Sequence, residues 1–269
     1  MVSTTLPLRT FPFNSEQVTA VVTTRHGGVS QGVYGSLNLG GHVGDDPEAV
    51  AENRRRLASA LGVDRLTIAD QRHTDRVAVV TPALAGRGHD GVADSAAAFP
   101  ATDAMITAVP GAALAILVAD CAPVVLFDPV HRAAGVAHSG RAGTLRGVVP
   151  KTIEAMTAAF GTAPGDLLIG IGPAIGAASY EIGPAEATEV TAAFPSGVTG
   201  ARLLTPSPRP GRALFDLTGA IRIQLRAAGV PPANVHDLAI DTRTSATEFF
   251  SDRSARPCGR FAAVAALRT

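Results

Sequence analysis

Apolar residues along the chain fall in short runs separated by glycine and proline, the pattern of many strands joined by tight turns. The runs Val18–Thr24, Arg76–Thr81, Ala113–Ala119, Val124–Asp128, Ala133–Ala137, Asp166–Ile171, Val235–Ile240 and Arg260–Ala266 predict strands. Their Val, Ile and Leu content predicts at least one buried face for each. Three segments carry helix signals. Asp46-Pro47 supplies an N-cap and a first-turn proline for a helix over Glu48–Leu61 that Gly62 closes. Pro150–Phe160 closed by Gly161 and Asp216–Ala228 closed by Gly229 repeat the pattern. In the first helix Val50, Leu57 and Leu61 share one face, which predicts that Arg54, Arg55 and Arg56 point mostly outward. Ala83–Thr102 and Thr205–Gly211, the latter with three prolines in seven residues, predict loops. The first is long enough for a lid or the rim of a site. Strands dominate the middle without strict βαβ alternation, so the expected fold class is a layered α+β domain, one unit over residues 1–269.

Composition narrows the function classes. A hydrophobic share of 46% with 17% charged residues is globular and excludes disorder. Lys+Arg 23 balance Asp+Glu 23, which leaves no basic field for nucleic acid or an anionic membrane. No run approaches the ~20 apolar residues of a membrane span. Met1–Phe13 has no charged leader followed by an apolar core, and Cys121 and Cys258 are too few for a disulfide scaffold. The expected location is the cytoplasm.

The most informative stretch runs from Leu114 to Gly140. Pro129–Arg132 is short enough to join the strands Val124–Asp128 and Ala133–Ala137 as an antiparallel hairpin. With the turn centred between Val130 and His131, Cys121 and His138 come within one step of being directly opposed. Thiolate and imidazole are both transition-metal ligands, and three protein ligands leave a fourth position of zinc open. His73, in Gln71-Arg72-His73-Thr74-Asp75 at a junction between strands, is the candidate third ligand. The residues alone fit three readings: a His/Cys/His metal site, a buried cysteine beside a satisfied histidine, or a thiol nucleophile with a histidine base.

Eight short motifs occur in one order. They are Thr23-Thr24-Arg25-His26-Gly27-Gly28-Val29-Ser30, Ser36-Leu37-Asn38-Leu39, Asn53-Arg54 and Gln71-Arg72-His73. These are followed by Ala119-Asp120-Cys121-Ala122-Pro123, Ala137-His138-Ser139-Gly140, Ile171-Gly172-Pro173-Ala174-Ile175 with Tyr180-Glu181, and Phe249-Phe250-Ser251 with Gly259-Arg260. From about Arg25 to Arg260 the chain resembles the YfiH family, also called the laccase-domain or polyphenol oxidase family. The resemblance implies central mixed β-sheets sandwiched between helical layers. It also implies a zinc-dependent purine nucleoside phosphorylase that cleaves adenosine, inosine and S-methyl-5′-thioadenosine with phosphate and deaminates adenosine with activated water. His73, Cys121 and His138 are the implied ligands of Zn2+. Two departures stand out. The family usually reads His-Ala-Gly-Trp-Arg-Gly where this chain has His138-Ser139-Gly140-Arg141-Ala142-Gly143, so the arginine is displaced by one position. A Cys-Thr pair common near the C-terminus is Asp241-Thr242 here.

Phosphorolysis needs a held dianion, which a planar guanidinium suits. Arg25 is the first candidate, because Gly27-Gly28 lets backbone N–H groups approach an anion and Ser30 adds a hydroxyl. Arg141 is the second. Asn38 and Gln71 are candidates to hydrogen-bond ribose or base, and Tyr180 and Glu181 to shape the pocket. Asp120, beside the cysteine, is a candidate to orient a ligand or move a proton, and equally a turn former. His26 is a possible lining residue, whereas His42, His89, His131 and His236 read as polar surface. Rival functions are copper-dependent oxidation of phenols, hydrolysis of an amide in a peptidoglycan precursor, and a non-catalytic structural zinc protein in which Cys258 completes the shell.

Overall fold

The computed structural model describes residues 6–195 and 202–269. In chain order its elements are β1 (Leu8–Thr10), β2 (Val18–Thr23), α1 (Pro47–Leu61), β3 (Leu66–Ile68), β4 (Val77–Val79), α2 (Val92–Ala98) and β5 (Ala104–Thr107). There follow β6 (Ala113–Val118), β7 (Ala122–Asp128), β8 (Ala133–Ser139), α3 (Arg141–Leu145), α4 (Val148–Phe160) and β9 (Leu168–Ile171). The last are β10 (Glu181–Ile182), α5 (Pro184–Ala193), β11 (Leu204–Pro206), β12 (Ala213–Phe215), α6 (Leu217–Ala227), β13 (Val235–Asp237) and β14 (Phe261–Leu267).

Alternation of side chains along the strands builds the layers. In β7, Val125 and Phe127 face a core shared with Leu114, Ile116 and Val118 of β6 and with Phe261, Ala263 and Ala265 of β14. That core joins a five-stranded sheet, ordered β1-β2-β14-β6-β3, to a six-stranded sheet, ordered β13-β9-β7-β8-β5-β4. Val124 and Leu126 point the other way, onto Val149, Ile153 and Met156 of α4 and Ile221 and Leu225 of α6. The opposite face of the first sheet, with Ala115, Leu117 and Val264, packs on Leu57 and Ala58 of α1 and on Leu37 and Leu39. Both sheets contain parallel and antiparallel pairs. The result is the expected sandwich of mixed sheets between helical layers. Because the central strands are buried on both faces, they read as continuous apolar runs.

The helix signals act as expected at α1, where the Asp46 carboxylate accepts from Glu48 N at 3.0 Å and Gly62 adopts φ 68°. Several strands are shorter than the sequence suggests: Arg76–Thr81 narrows to β4, and Asp166–Ile171 divides into a 3-10 turn at Pro164–Asp166 and β9. The expected loop Ala83–Thr102 contains α2, and Thr205–Gly211 includes the end of β11 and the turn toward β12.

One expectation is overturned. Arg54 is only 3% exposed, and its guanidinium donates to Leu39 O at 2.9 Å, Gly88 O at 2.9 Å and His89 O at 2.8 Å. Burial lowers its pKa to about 10, which still leaves it charged at neutral pH. Three loop carbonyls that no strand or helix satisfies set its inward position, and apolar periodicity carries no sign of them. Arg55 and Arg56 do pair with Glu52 near the surface. Arg54→Ala should therefore destabilise the protein by roughly 3 kcal/mol or more, against less than about 0.5 kcal/mol for Arg55→Ala. Urea unfolding of the two variants checks this, and equal midpoints would contradict it.

Candidate metal centre

The hairpin of β7 and β8 places the first two donors. Pro123 lies opposite His138 and Ala122 opposite Ser139, so Cys121, one residue before β7, faces Gly140 across the pair. A Cβ at Gly140 would lie 2.5 Å from Cys121 Sγ and 3.3 Å from His73 Cδ2, so glycine there leaves room for the donors to meet. The third donor comes from the turn before β4. His73 sits in the left-handed region at φ 59°, a conformation that costs energy for a non-glycine residue.

Asp103, directly before β5, holds that arrangement. Its carboxylate is fully buried and accepts from Arg72 N at 3.0 Å, His73 N at 2.9 Å, Thr74 N at 2.7 Å and Thr74 Oγ1 at 2.8 Å. It also meets His138 Nδ1 at 2.7 Å, and its backbone carbonyl accepts from His138 N at 2.7 Å. Burial alone would raise its pKa, but the bond from His138 and the backbone amides outweigh this and bring it to about 2. With Nδ1 committed to Asp103, His138 presents Nε2 as its free donor.

Sγ of Cys121 lies 3.8 Å from His73 Nε2, and the imidazole rings of His73 and His138 are 4.7 Å apart between centroids. One donor atom from each of the three residues falls within 4.8 Å of the others. Tetrahedral zinc with one sulfur and two nitrogen ligands would set S···N at roughly 3.6 Å, so the trio can hold such an ion with little adjustment. The electrostatics agree. Burial would raise the Cys121 thiol, but His138 and His73 outweigh it and bring it to about 6. Burial would lower His138, but the thiolate and Asp103 raise it to about 9. Cys121 and His138 thus form a thiolate–imidazolium pair whose proton a cation can replace. Among the described residues this is the one group of three or more such ligands, and Cys258 lies outside it, its Sγ 3.3 Å from Arg260 Nη1.

A cavity of ≈ 330 Å³ opens over the trio, within the ~300–1,000 Å³ range of small-molecule sites. Gln71, Asp120, Arg141 and Tyr180 line it together with Leu117, Ile175 and Leu217. Gln71 clamps the backbone of Leu117, donating to its carbonyl at 2.8 Å and accepting from its N–H at 2.9 Å. The backbone turns into α3 at Arg141, and that side chain reaches the cavity while paired with Glu189. Asp120, at φ 79°, accepts from Thr242 Oγ1 and from Arg253 N, both at 2.6 Å. Each oxygen accepts one of these bonds, so Asp120 ties the segment after Ser251 to the residue beside Cys121.

Arg25, Ser30 and Asn38 are not among the residues that line this cavity. Arg25 donates to Gly35 O and Ala246 O and stacks on Phe250 at 4.5 Å. Ser30 donates to Asp45 at 2.6 Å. Asn38 accepts from Gly40 N and Arg260 N and donates to Asp45. Ser30 and Asn38 spend their polar groups bracing the loop between β2 and α1, and Arg25 ties that loop to the segment around Ala246. The exposed His26 also lies off the cavity. The titratable lining residues that the sequence did not single out are His42, Asp252, Arg253 and Arg256, with Arg260 noted there only as part of a motif. Asp103 was missed as well. The Phe249-Phe250-Ser251 and Gly259-Arg260 motifs were the available signal for the arginines.

Two mixed sheets between helical layers, with a histidine, a cysteine and a second histidine converging where a transition metal can sit, define the YfiH-like class. The sequence matches the family described as multi-copper polyphenol oxidoreductase laccase over residues 19–268, and the chain belongs to that family. Among its relatives, a protein named purine nucleoside phosphorylase from Mycobacterium tuberculosis is 39% identical over 254 residues, which cover 93% of this chain and 92% of the relative. Another so named, from Pseudomonas aeruginosa, is 38% identical over 254 residues, 94% of each. The crystal structure of YlmD from Geobacillus stearothermophilus superposes with a TM-score of 0.89 at 32% identity, covering 97% of both chains. That of the Bacillus licheniformis hypothetical protein YfiH gives 0.86 at 29% identity, covering 96% of this chain and 99% of that one.

Because Asp103 orients both histidines, Asp103→Ala should weaken the affinity of the trio for added Zn2+ by ~10–100-fold, the usual cost of losing a carboxylate behind a metal-bound histidine. Chelator competition on the folded variant measures this, and unchanged affinity would reduce Asp103 to a turn-holding residue.

Proposed function

We propose that the protein is a zinc-dependent purine nucleoside phosphorylase that cleaves adenosine, inosine and S-methyl-5′-thioadenosine with phosphate and also deaminates adenosine. The observation that carries the reading is the convergence of His73, Cys121 and His138 on one side of a nucleoside-sized cavity, with no fourth protein ligand among the described residues. Relatives that share nine-tenths of the chain's length and carry the phosphorylase name support it. Bound by the trio, zinc would supply a Lewis acid able to polarise an oxygen or lower the pKa of a water.

In phosphorolysis an oxygen of hydrogen phosphate bonds to C1′ of the ribose as the C1′–N9 bond breaks. The electron pair leaves with the purine, and the phosphate proton ends on the base, which gives ribose 1-phosphate and free purine. In deamination water adds at C6 and ammonia leaves. Leu117, Ile175 and Leu217 offer apolar surface for the flat base. Tyr180, pushed up to about 12 by burial and by the Cys121 thiolate, stays protonated and can donate a hydrogen bond across the cavity. Arg141 lines the same cavity, where it can meet a substrate oxygen if it exchanges its partner Glu189.

Copper-dependent oxidation of phenols, which the family description names, fits this chain less well. A blue site together with a three-copper cluster draws on many more histidines than the two in this group, and the whole chain has seven. Hydrolysis of a peptidoglycan amide would proceed without phosphate and leave nucleosides intact.

His73→Ala and His138→Ala should each lose bound zinc and nearly all nucleoside cleavage while keeping the fold, whereas Cys258→Ala should keep its zinc. Metal analysis of the purified proteins, together with inosine cleavage measured with and without phosphate, tests the reading. Full cleavage by a metal-free variant, or cleavage independent of phosphate, would overturn it.

A further inference from the structure

Three arginines of one short segment, Arg253, Arg256 and Arg260, line the cavity beside the trio. Their guanidinium groups are not equivalent. Arg256 spends its Nε–Nη2 edge on Asp252, donating from Nε to the backbone carbonyl at 3.2 Å and pairing through Nη2 with the carboxylate. Arg253 is anchored through Nη1 alone, which donates to Glu181 O at 2.9 Å, while its guanidinium lies 5.4 Å from the centre of the Tyr180 ring. Arg260 is likewise anchored through Nη1, which donates to Cys258 O and Gly259 O, both at 3.0 Å. Its stem lies against Gly40, where a Cβ would come within 2.8 Å of Cγ. Its Nη2 has only a 3.8 Å contact with Asp252.

In both Arg253 and Arg260, therefore, the Nε–Nη2 edge has no hydrogen-bond acceptor among the described residues. That edge is the fork that grips two oxygens of one oxyanion at once. The backbone that carries both forks is braced. Arg253 N is bonded to Asp120, and the backbone of Arg260 exchanges hydrogen bonds with the Asn38–Leu39 segment. The charge of the wall has the same sign. Arg141, Arg253, Arg256 and Arg260 stand against Asp120, Asp252 and the Glu189 partner of Arg141, so one positive charge remains beside the Cys121–His138 pair, which is neutral in sum.

We propose that Arg253 and Arg260 form a two-arginine clamp for a tetrahedral phosphate oxyanion and hold the attacking phosphate beside the metal trio. This rests on the phosphorylase reading for its ligand. It assigns to these two residues the phosphate contact that Arg25, with its guanidinium already bonded to Gly35 and Ala246, is placed away from. The clamp leaves the bond changes of phosphorolysis as written above. It neutralises the dianion and fixes one oxygen toward C1′.

The test uses Arg253→Gln and Arg260→Gln in the zinc-loaded protein. Inosine cleavage is measured across phosphate concentrations, and phosphate binding without nucleoside is followed by 31P NMR. Each substitution should raise KM for phosphate ~10-fold or more and leave KM for inosine within about 2-fold. Arg253→Lys should recover only part of the loss, because an ammonium has no fork. Arg260→Gln is accepted only if its unfolding midpoint matches the parent, and Arg253→Gln, whose side chain makes one backbone bond, carries the test otherwise. Unchanged phosphate KM in a protein that still phosphorolyses inosine would overturn the clamp. So would a loss confined to inosine 5′-monophosphate used as competitor, since the arginines would then serve a nucleotide's ester phosphate. If the parent binds phosphate through these arginines but cleaves no nucleoside, the clamp stands and the phosphorylase reading falls.

Discussion

Two imidazoles and a thiolate repel or misalign unless something fixes their tautomers and backbones before a cation arrives, and in this protein that is the buried carboxylate of Asp103. Taking a carboxylate out of water is expensive, and it is tolerated only where hydrogen bonds replace the lost hydration. Asp103 receives them from three consecutive backbone amides, a hydroxyl and an imidazole. Its place follows from strand register. β5 pairs with β8 so that Ala104 faces Ala137, and β4 pairs with β5 so that Val77 faces Ala104. The residue before β5 must then lie between the end of β8, with His138, and the turn before β4, with His73. The same carboxylate that selects the His138 tautomer also holds His73 at a positive φ. Sheet pairing, local strain and ligand geometry meet in that one group.

A second polar network does analogous work at a distance from the trio. Asn53 donates to Ser30 Oγ, Ser36 O and Asn38 O and accepts from Val29 N. Asp45 receives Ser30 and Asn38, and Asn38 in turn receives Arg260 N. The first three N-terminal motifs are thus one hydrogen-bonded frame behind the cavity wall. This explains why residues that look like substrate contacts in a linear sequence lie in the interior. Polar side chains that gather around glycines can bind an anion or brace a loop, and only the three-dimensional list of partners separates the two.

The sandwich was legible because its central strands are buried on both faces and its first helix is capped at both ends. The β7–β8 hairpin can be paired from its turn alone, and this places Cys121 close to His138. His73 was a candidate from its place at a strand junction, and the motif resemblance singled it out, since its approach depends on β4 and β5 lying side by side. Asp103 left no signal, because an aspartate before a short strand looks like any turn residue. Arg54 misled because a cation on a helix reads as solvated. Its three acceptors come from loops around Leu39 and Gly88–His89, far away in sequence. What could be read was local periodicity and turn length. What could not was the long-range pairing of single polar groups.

The whole-chain charge shows the same limit and bears on what the cavity can hold. A net charge of zero argues against a long-range field of the kind that would gather a polyanion. It says nothing about a small one. Near a cavity wall the relevant quantity is the number of guanidinium edges that protein acceptors leave unused, and the partners of Arg253 and Arg260 leave two. A cleft with cationic walls and low-dielectric sides concentrates field that the rest of the surface cancels beyond about a Debye length. The softer donors of Cys121, His73 and His138 sit beside this wall, so a metal cation and an oxyanion can occupy neighbouring positions without either neutralising the other's ligands. Such a division between soft metal ligands and hard anion ligands suits a reaction in which a sugar carbon is attacked on one side and a heterocycle departs on the other.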